Sequence, residues 1–397
     1  MNRFELVIAG GGLTAARAIR SYRDAGGEGD IALLSAERHL PYHRPALSKR
    51  YLRGEVAAPF VEDEAFYRDH GVELLLGTPA TGVDAAARAV TSARGSMQYE
   101  RLLLATGARP RPLSVPGADL DGIDALRTLD DSDRIREAAT SAANVVIVGG
   151  GFIGMEVAAS LRRLGLEVTV FHRGRGLFDQ LRSPALSEQL LALYRDNGVD
   201  VLLEHEVARF GGTDAVEWVE ATNGHCVAAD LVVTGVGVVP NVDFVSGSDI
   251  AVDNGVVVDE RFGTNVPNVF AAGDVANFFD PLYGRRRRIE HWSNADYQGA
   301  EVGAILAGAD GGYDIASSFF SEVFGTTIRV FGDTSRAGEL HEVGGLDEGF
   351  LATYGDRGRL VGAIAIGQGE ELEARVKRLI EERAPAGSLE RGLVKRG

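Results

Sequence analysis

Three glycines, Gly149, Gly151 and Gly154, follow the branched apolar residues 145–148 and precede a helical pattern carrying Ala158, Leu161 and Leu164. Set between a buried strand and a helix, this spacing reads as a phosphate-binding turn. The first glycine permits the tight turn, the second lets backbone approach a pyrophosphate, and the third lets the helix pack close to the strand. The helix start adds free N–H groups and a partial positive charge, with Phe152 and Ile153 in its first turn. A second copy stands at the N-terminus. There the strand of residues 4–9 leads into Gly10 and Gly12, then Leu13, Thr14 and Ala15, with alanine as an accepted third position. Two dinucleotide sites in one polypeptide point to electron transfer between two cofactors.

Composition bounds the rest. With 397 residues, 25% charged and 45% hydrophobic, the chain suffices for two or three domains with proper cores. A net charge of −16 weighs against nucleic acid or an anionic membrane as the main partner. No apolar run reaches spanning length, and the first strand begins too early for a signal peptide, so a cytoplasmic protein is expected. The single cysteine, Cys226, excludes an intrachain disulfide and a dithiol relay. No His/Cys/Asp spacing reads as a metal site.

The elements around the two turns follow in order. After the second strand, residues 31–35, Glu37 lies at the distance where an acid accepts hydrogen bonds from an adenosine ribose. Residues 77–90 read as a hairpin turning at Gly-Val-Asp, with Ala80 at its start. A buried strand at 102–105 ends in Thr106 and Gly107. Pro110, Pro112 and Pro116 make a stiff crossover, and Arg127 precedes a polar helix opening with Asp130, Asp131 and Asp133. The second half repeats the first: strand 168–171, helix 184–197, strand 199–203, and residues 231–235 echoing 102–107, as in an internal duplication. Residues 268–274 form a short buried strand ending in Gly273 and Asp274, and Trp292 opens a helix running to Leu306. From residue 319 the pattern becomes antiparallel strands (328–331, 349–354, 360–366) and a helix with Leu372, Val376, Leu379 and Ile380 on one face. The last dozen residues are expected to fray.

One loop makes a resemblance specific. Pro41, Tyr42, Arg44, Pro45, Leu47, Ser48 and Lys49 resemble the PY-x-RP-x-LSK segment of the FAD-dependent NAD(P)H:ferredoxin reductases that serve bacterial cytochromes P450 and Rieske oxygenases. That putidaredoxin-reductase-like family also resembles apoptosis-inducing factor in fold, and the resemblance covers essentially the whole chain. It implies an α/β protein with two Rossmann-like dinucleotide-binding domains, glutathione-reductase-like, plus a small α+β C-terminal domain. Residues 1–112 and 241–316 would bind FAD, residues 113–240 NAD(P)H, and residues 317–397 would form the third domain. The family's activity implies hydride transfer from NADH or NADPH to FAD and release of single electrons to an acidic two-iron, two-sulfur ferredoxin.

The resemblance also implies roles residue by residue. Lys49 would lie beside flavin N5 and pair with Glu156, whose carboxylate would position the nicotinamide carboxamide; the alternative is a plain interdomain salt bridge. Trp292 would flank the isoalloxazine, and Gly273 with Asp274 would hold the ribityl chain. Arg44 would wall the cofactor and Arg127 would approach the FAD diphosphate. Gly237 belongs to the return crossover on the nicotinamide side. One position departs from the family: His172, followed by Arg173 and Arg175, stands where NAD-dependent relatives carry a glutamate. Two guanidinia there would suit a 2′-phosphate, so NADPH is expected to be accepted well. Arg285, Arg286, Arg287 and Arg288 form either a docking surface for the ferredoxin or an ordinary solvated strand face. The competing functions are an NAD(P)H–quinone or oxygen reductase and a redox sensor or scaffold. Monomer and homodimer both remain open.

Overall fold

The computed structural model describes residues 3–335 and 338–389, so most of the tail expected to fray lies outside the described residues. The chain divides into two compact units. The first comprises Met1–Arg44, Ala58–Arg109 and Val238–Ile315; the second comprises Pro45–Ala57, Pro110–Gly237 and Ala316–Gly397. The short stretch Pro45–Ala57, which carries Lys49, therefore groups with the second unit, although the sequence reading places it with the first.

In the first unit, β1 (Arg3–Ala9), α1 (Leu13–Asp24) and β2 (Ile31–Leu34) form the opening βαβ. β1 lies parallel between β2 and the long strand Gly95–Leu104, and β2 continues to Val72–Leu75. Val269–Ala271 returns late in the chain to pair parallel with Gly95–Leu104. All four residues of β2 and the last four of β1 are buried, as a sheet covered on both faces requires. The helix Trp292–Leu306 packs on α1 at close range. A Cβ at Gly299 would come within 2.6 Å of the Thr14 carbonyl oxygen, so only glycine admits this approach. The 77–90 region is a hairpin of Ala80–Asp84 and Ala89–Ser92, but its turn falls at residues 85–88. Gly82, Val83 and Asp84 are in the strand itself.

In the second unit, β3 (Asn144–Val148), α2 (Phe152–Arg163) and β4 (Glu167–His172) repeat the βαβ. The sheet runs Val199–Leu203, β4, β3, Leu231–Thr234, Ile123–Ala125, all parallel. A small antiparallel sheet of Val207–Gly211, Trp218–Ala221 and Cys226–Ala228 sits between, with Cys226 exposed. The C-terminal part is a five-stranded antiparallel sheet ordered Ser318–Val323, Thr326–Gly332, Arg359–Ile366, Gly349–Asp356, Glu339–Gly345. Its outer strands, Ser318–Val323 and Glu339–Gly345, go beyond the three strands read from the sequence. Val376 and Ile380 are the buried residues of the helix Glu370–Glu381.

Candidate active site

The two glycine turns have the same backbone. Gly10 and Gly149 both sit at φ +120°, where a Cβ would strike the carbonyl oxygen of Ala105 in one case and Gly235 in the other. Gly10 donates its N–H to Leu34 at 2.8 Å, and Gly149 donates to Phe171 at 2.9 Å. Each helix starts without a side-chain cap and without an acid in its first turn. No atom lies within 4 Å of a Cβ built on Gly12. Uncapped N–H groups beside an open backbone suit a diphosphate, so the donor set fits a dinucleotide in each unit. The third position differs. Ala15 is buried without conflict, whereas a Cβ at Gly154 would collide with the Gly149 carbonyl oxygen.

Around the first turn, Thr14 donates to the Ala295 carbonyl at 3.1 Å, and Gly273 takes Gln298 as its acceptor at 2.7 Å. Gly273, at φ +80°, approaches the Thr14 hydroxyl to within 2.5 Å of a built Cβ, so the Gly-Asp turn and the start of α1 meet. Glu37 accepts from Arg44 at 2.6 Å and from the Tyr42 hydroxyl. Thr106 and Asn241 exchange two bonds, of 2.8 and 2.9 Å. Trp292 donates its indole N–H to His43 Nδ1 at 2.9 Å, and the residue is 37% exposed. Burial, reinforced by the positive charge of Arg17, holds the His43 pKa below its ordinary value. Ala80 is half-buried at the start of its strand, and Gly107, at φ +64°, accepts from the Asn241 N–H.

In the second unit, Lys49 Nζ lies 2.5 Å from Glu156 Oε2, with the two side chains 12% and 5% exposed. Glu156 is the fifth residue of α2 and also accepts from Ser48 and, at 2.6 Å, from Ser321. Both carboxylate oxygens are thus engaged, as a buried ion pair requires. Phe152 packs edge-on against Phe178 and Phe319, while Ile153 is 45% exposed. Gly237, at φ +96°, accepts from the Arg111 N–H at 2.9 Å. Arg127 half-emerges at the N-terminus of the helix Leu129–Ala138, its own N–H bonded to Asp131. Like Lys49, it belongs to the second unit. His172 Nδ1 accepts from the Gly150 N–H at 3.1 Å, and its Nε2 faces Asp179 at 3.1 Å. Arg173 is exposed, and Arg175 pairs with Glu204 at 3.1 Å.

The arginine run is largely consumed within the first unit. Arg287 binds the fully buried Asp280 at 2.8 Å and lies over the Tyr283 ring, Arg288 pairs with Glu290, and Arg286 donates to two carbonyls. Its residues hold Arg285–Arg287 and its neighbours together, a role the charge count alone does not reveal.

The pyridine nucleotide-disulphide oxidoreductase pattern matches residues 4–299. This chain belongs to that family. It is 34% identical over 383 residues to the ferredoxin reductase component of chlorobenzene dioxygenase from Cupriavidus sp. (strain PS12), across 96% of this chain and 93% of that protein. It is 33% identical over 336 residues to putidaredoxin reductase of Pseudomonas putida, across 82% and 80%. Among solved structures, the covalent putidaredoxin reductase–putidaredoxin complex matches with a TM-score of 0.92 at 31% identity, over 97% of this chain and 94% of that one.

Although this chain is a pyridine nucleotide-disulphide oxidoreductase by family, its single cysteine, the exposed Cys226, leaves it no intrachain redox disulfide. Three groups near the expected residues escaped the sequence reading as participants. His43 lies inside the quoted loop and was visible there. Ser321 is 165 residues from Glu156, and no local signal marks it. Asp179 follows β4 by seven residues and carries no motif of its own.

Proposed function

We propose that the chain is a flavoprotein reductase that takes hydride from NAD(P)H onto FAD and passes single electrons to a ferredoxin serving a cytochrome P450 or Rieske oxygenase. The observation that carries this reading is the repeated turn: two backbones of one geometry, each open to a diphosphate, in a chain without a redox dithiol. The names of its relatives support the same acceptor. On this reading the first unit takes FAD and the Pro110–Gly237 part of the second takes the nicotinamide nucleotide.

When bound, flavin accepts a hydride and releases electrons singly. The residues of the chain orient and tune. The backbones at Gly12 and Gly151 receive the diphosphates, the first open and the second with the Gln180 amide nitrogen 3.7 Å from a built Cβ. Lys49 supplies a fixed positive charge, held by Glu156 and by the Pro45 carbonyl at 3.2 Å. Ser48 and Ser321 hold the Glu156 carboxylate in one orientation. Trp292, fixed by His43, presents an aromatic face that shields a ring from water. The expected compartment is the cytoplasm; among the described residues no helix is long and apolar enough to cross a membrane.

An acidic ferredoxin would be steered by the basic run, through Arg286 above all, because Arg287 and Arg288 are neutralised by Asp280 and Glu290. A reduction rate that stays constant as salt is added would reject this docking mode. The deciding experiment for the function is anaerobic titration of the purified protein with NADH and with NADPH, followed by addition of ferredoxin. Bleaching of flavin absorbance by either nucleotide and its return with ferredoxin are expected. A bound flavin that neither nucleotide bleaches would sink the reductase reading and leave a sensor or scaffold.

A further inference from the structure

The internal repeat can be aligned by hydrogen bonds rather than by residue type. Gly10 bonds the carbonyl of Leu34, and Gly149 bonds that of Phe171, so Leu34 and Phe171 are equivalent. The next residues are Ser35 and His172. Both face the middle glycine of their turn: a Cβ at Gly11 would meet the Ser35 hydroxyl, and a Cβ at Gly150 would meet the His172 ring. Two residues further on, Glu37 of the first unit is therefore equivalent to Gly174 of the second. Gly174 has no side chain, but its place is filled. A Cβ built there would collide with Asp179 Oδ2, and one on Gly176 would stand 3.1 Å from Asp179 Oδ1.

We propose that Asp179 is the nucleotide-selecting acid of the second unit, delivered from the loop into the position that Glu37 occupies in the first, and that it favours NADH over NADPH. The inference rests on the reading of this unit as the nicotinamide-nucleotide site.

The geometry holds Asp179 in that place. The Gly150 N–H donates to His172 Nδ1, so the ring proton sits on Nε2 and points at Asp179. Phe178 returns its N–H to the Gly150 carbonyl at 2.8 Å, clamping the loop to the phosphate turn from the other side. Phe178 and Arg182 both adopt left-handed backbone, φ +56° and +52°, which turns residues 179–181 back toward the turn. The Asp179 side chain is 47% exposed, so its carboxylate reaches solvent at the end of β4. A carboxylate there accepts from a ribose 2′-hydroxyl and repels a 2′-phosphate. Of the two arginines read as phosphate ligands, Arg175 is already paired with Glu204.

The test is calorimetric titration of the oxidised, flavin-loaded protein with NAD+ and NADP+. The wild-type protein is expected to bind NAD+ on the order of tenfold more tightly than NADP+. Asp179→Asn keeps an acceptor for His172 Nε2–H and removes the charge, and should narrow that ratio about tenfold. Asp179→Glu should keep the ratio within about threefold of wild type. A wild-type preference for NADP+, or an Asp179→Asn ratio equal to wild type, overturns the proposal. Failure of the reductase reading looks different: the ratios would behave as stated while neither reduced nucleotide bleached the flavin.

Discussion

The two βαβ openings keep one backbone and part company in the side chains that surround it. In the first unit the acid beyond the second strand, Glu37, is carried by the main chain directly after the strand and is held by Arg44 and Tyr42. In the second unit the strand ends at His172, Arg173 and Gly174 follow it, and a carboxylate arrives from seven residues downstream of His172. The shared features are those that backbone geometry requires: a glycine at φ +120° under a carbonyl, and an uncapped helix start. On the proposed reading, recognition of what lies beyond the phosphate is left to loops, which change without disturbing the turn. The two carboxylates also differ in freedom, Glu37 at 21% exposure and Asp179 at 47%.

The sharpest way to break the comparison is to strain each turn in turn. Gly10→Ala and Gly149→Ala each drive a methyl into a carbonyl at a left-handed position. Gly10→Ala should yield protein with little flavin absorbance. Gly149→Ala should keep its flavin and lose nicotinamide-nucleotide affinity by about 100-fold or more. If both variants lost the same ligand, the assignment of one cofactor per unit would be wrong.

Next in size is the buried pair of the second unit, which has no equally buried counterpart at Glu37 and Arg44. Lys49→Ala leaves Glu156 buried with two serines, at a cost of about 3–5 kcal/mol by denaturant unfolding. Flavin reduction in stopped flow should slow at least ~10-fold. A variant that reduces at the wild-type rate removes Lys49 from the mechanism.

The acid response should come from the first unit. Burial of His291, with Arg287 adding to it and Asp274 opposing, pushes its pKa down to about 4. The unfolded ring takes its proton near pH 6.5, so between these values the unfolded state binds more protons. Stability is therefore unaffected above that range and falls as pH drops from about 6.5 toward 4, by roughly 3 kcal/mol in all. His291→Asn should flatten that part of the stability–pH curve; an unchanged curve would assign the acid sensitivity elsewhere.

The smallest effect concerns the third turn position. Gly154→Ala must move the turn backbone and should cost about 1–3 kcal/mol, whereas Ala15→Gly should cost about 1 kcal/mol through helix propensity alone. Equal melting shifts for the two would mean that the turns are more alike than the Gly149 carbonyl suggests.

Much of this architecture can be read from residue types. The glycine spacings, the apolar strands before them and the return at Gly273 and Asp274 are local signals, and local signals survive without coordinates. The C-terminal strands were legible where apolar residues run together. Glu339–Gly345, whose burial is slight, was not. The site was less legible where it depends on distance along the chain. Ser321 reaches Glu156 only because α2 packs against Ser318–Val323. Asp179 gains its meaning from a missing side chain at Gly174, and an absence has no sequence signature. The arginine run shows the opposite limit: its charge is plain in the sequence, while the Val258 carbonyl that Arg286 reaches lies in another segment.

The pairing of Val269–Ala271 with Gly95–Leu104 bears on how the protein is made. A ribosome adding roughly 10 residues per second would deliver this strand ~17 s after its partner. Throughout that interval the Leu102–Leu104 end of one strand edge, and the face of α1 that the helix Trp292–Leu306 covers, would stand open to other chains. The second unit, whose Pro110–Gly237 part emerges meanwhile, would have to fold beside an unfinished neighbour. Splitting the gene between the units is closed off as well, because the chain passes from one unit to the other at Arg44, Ala57, Arg109, Gly237 and Ile315.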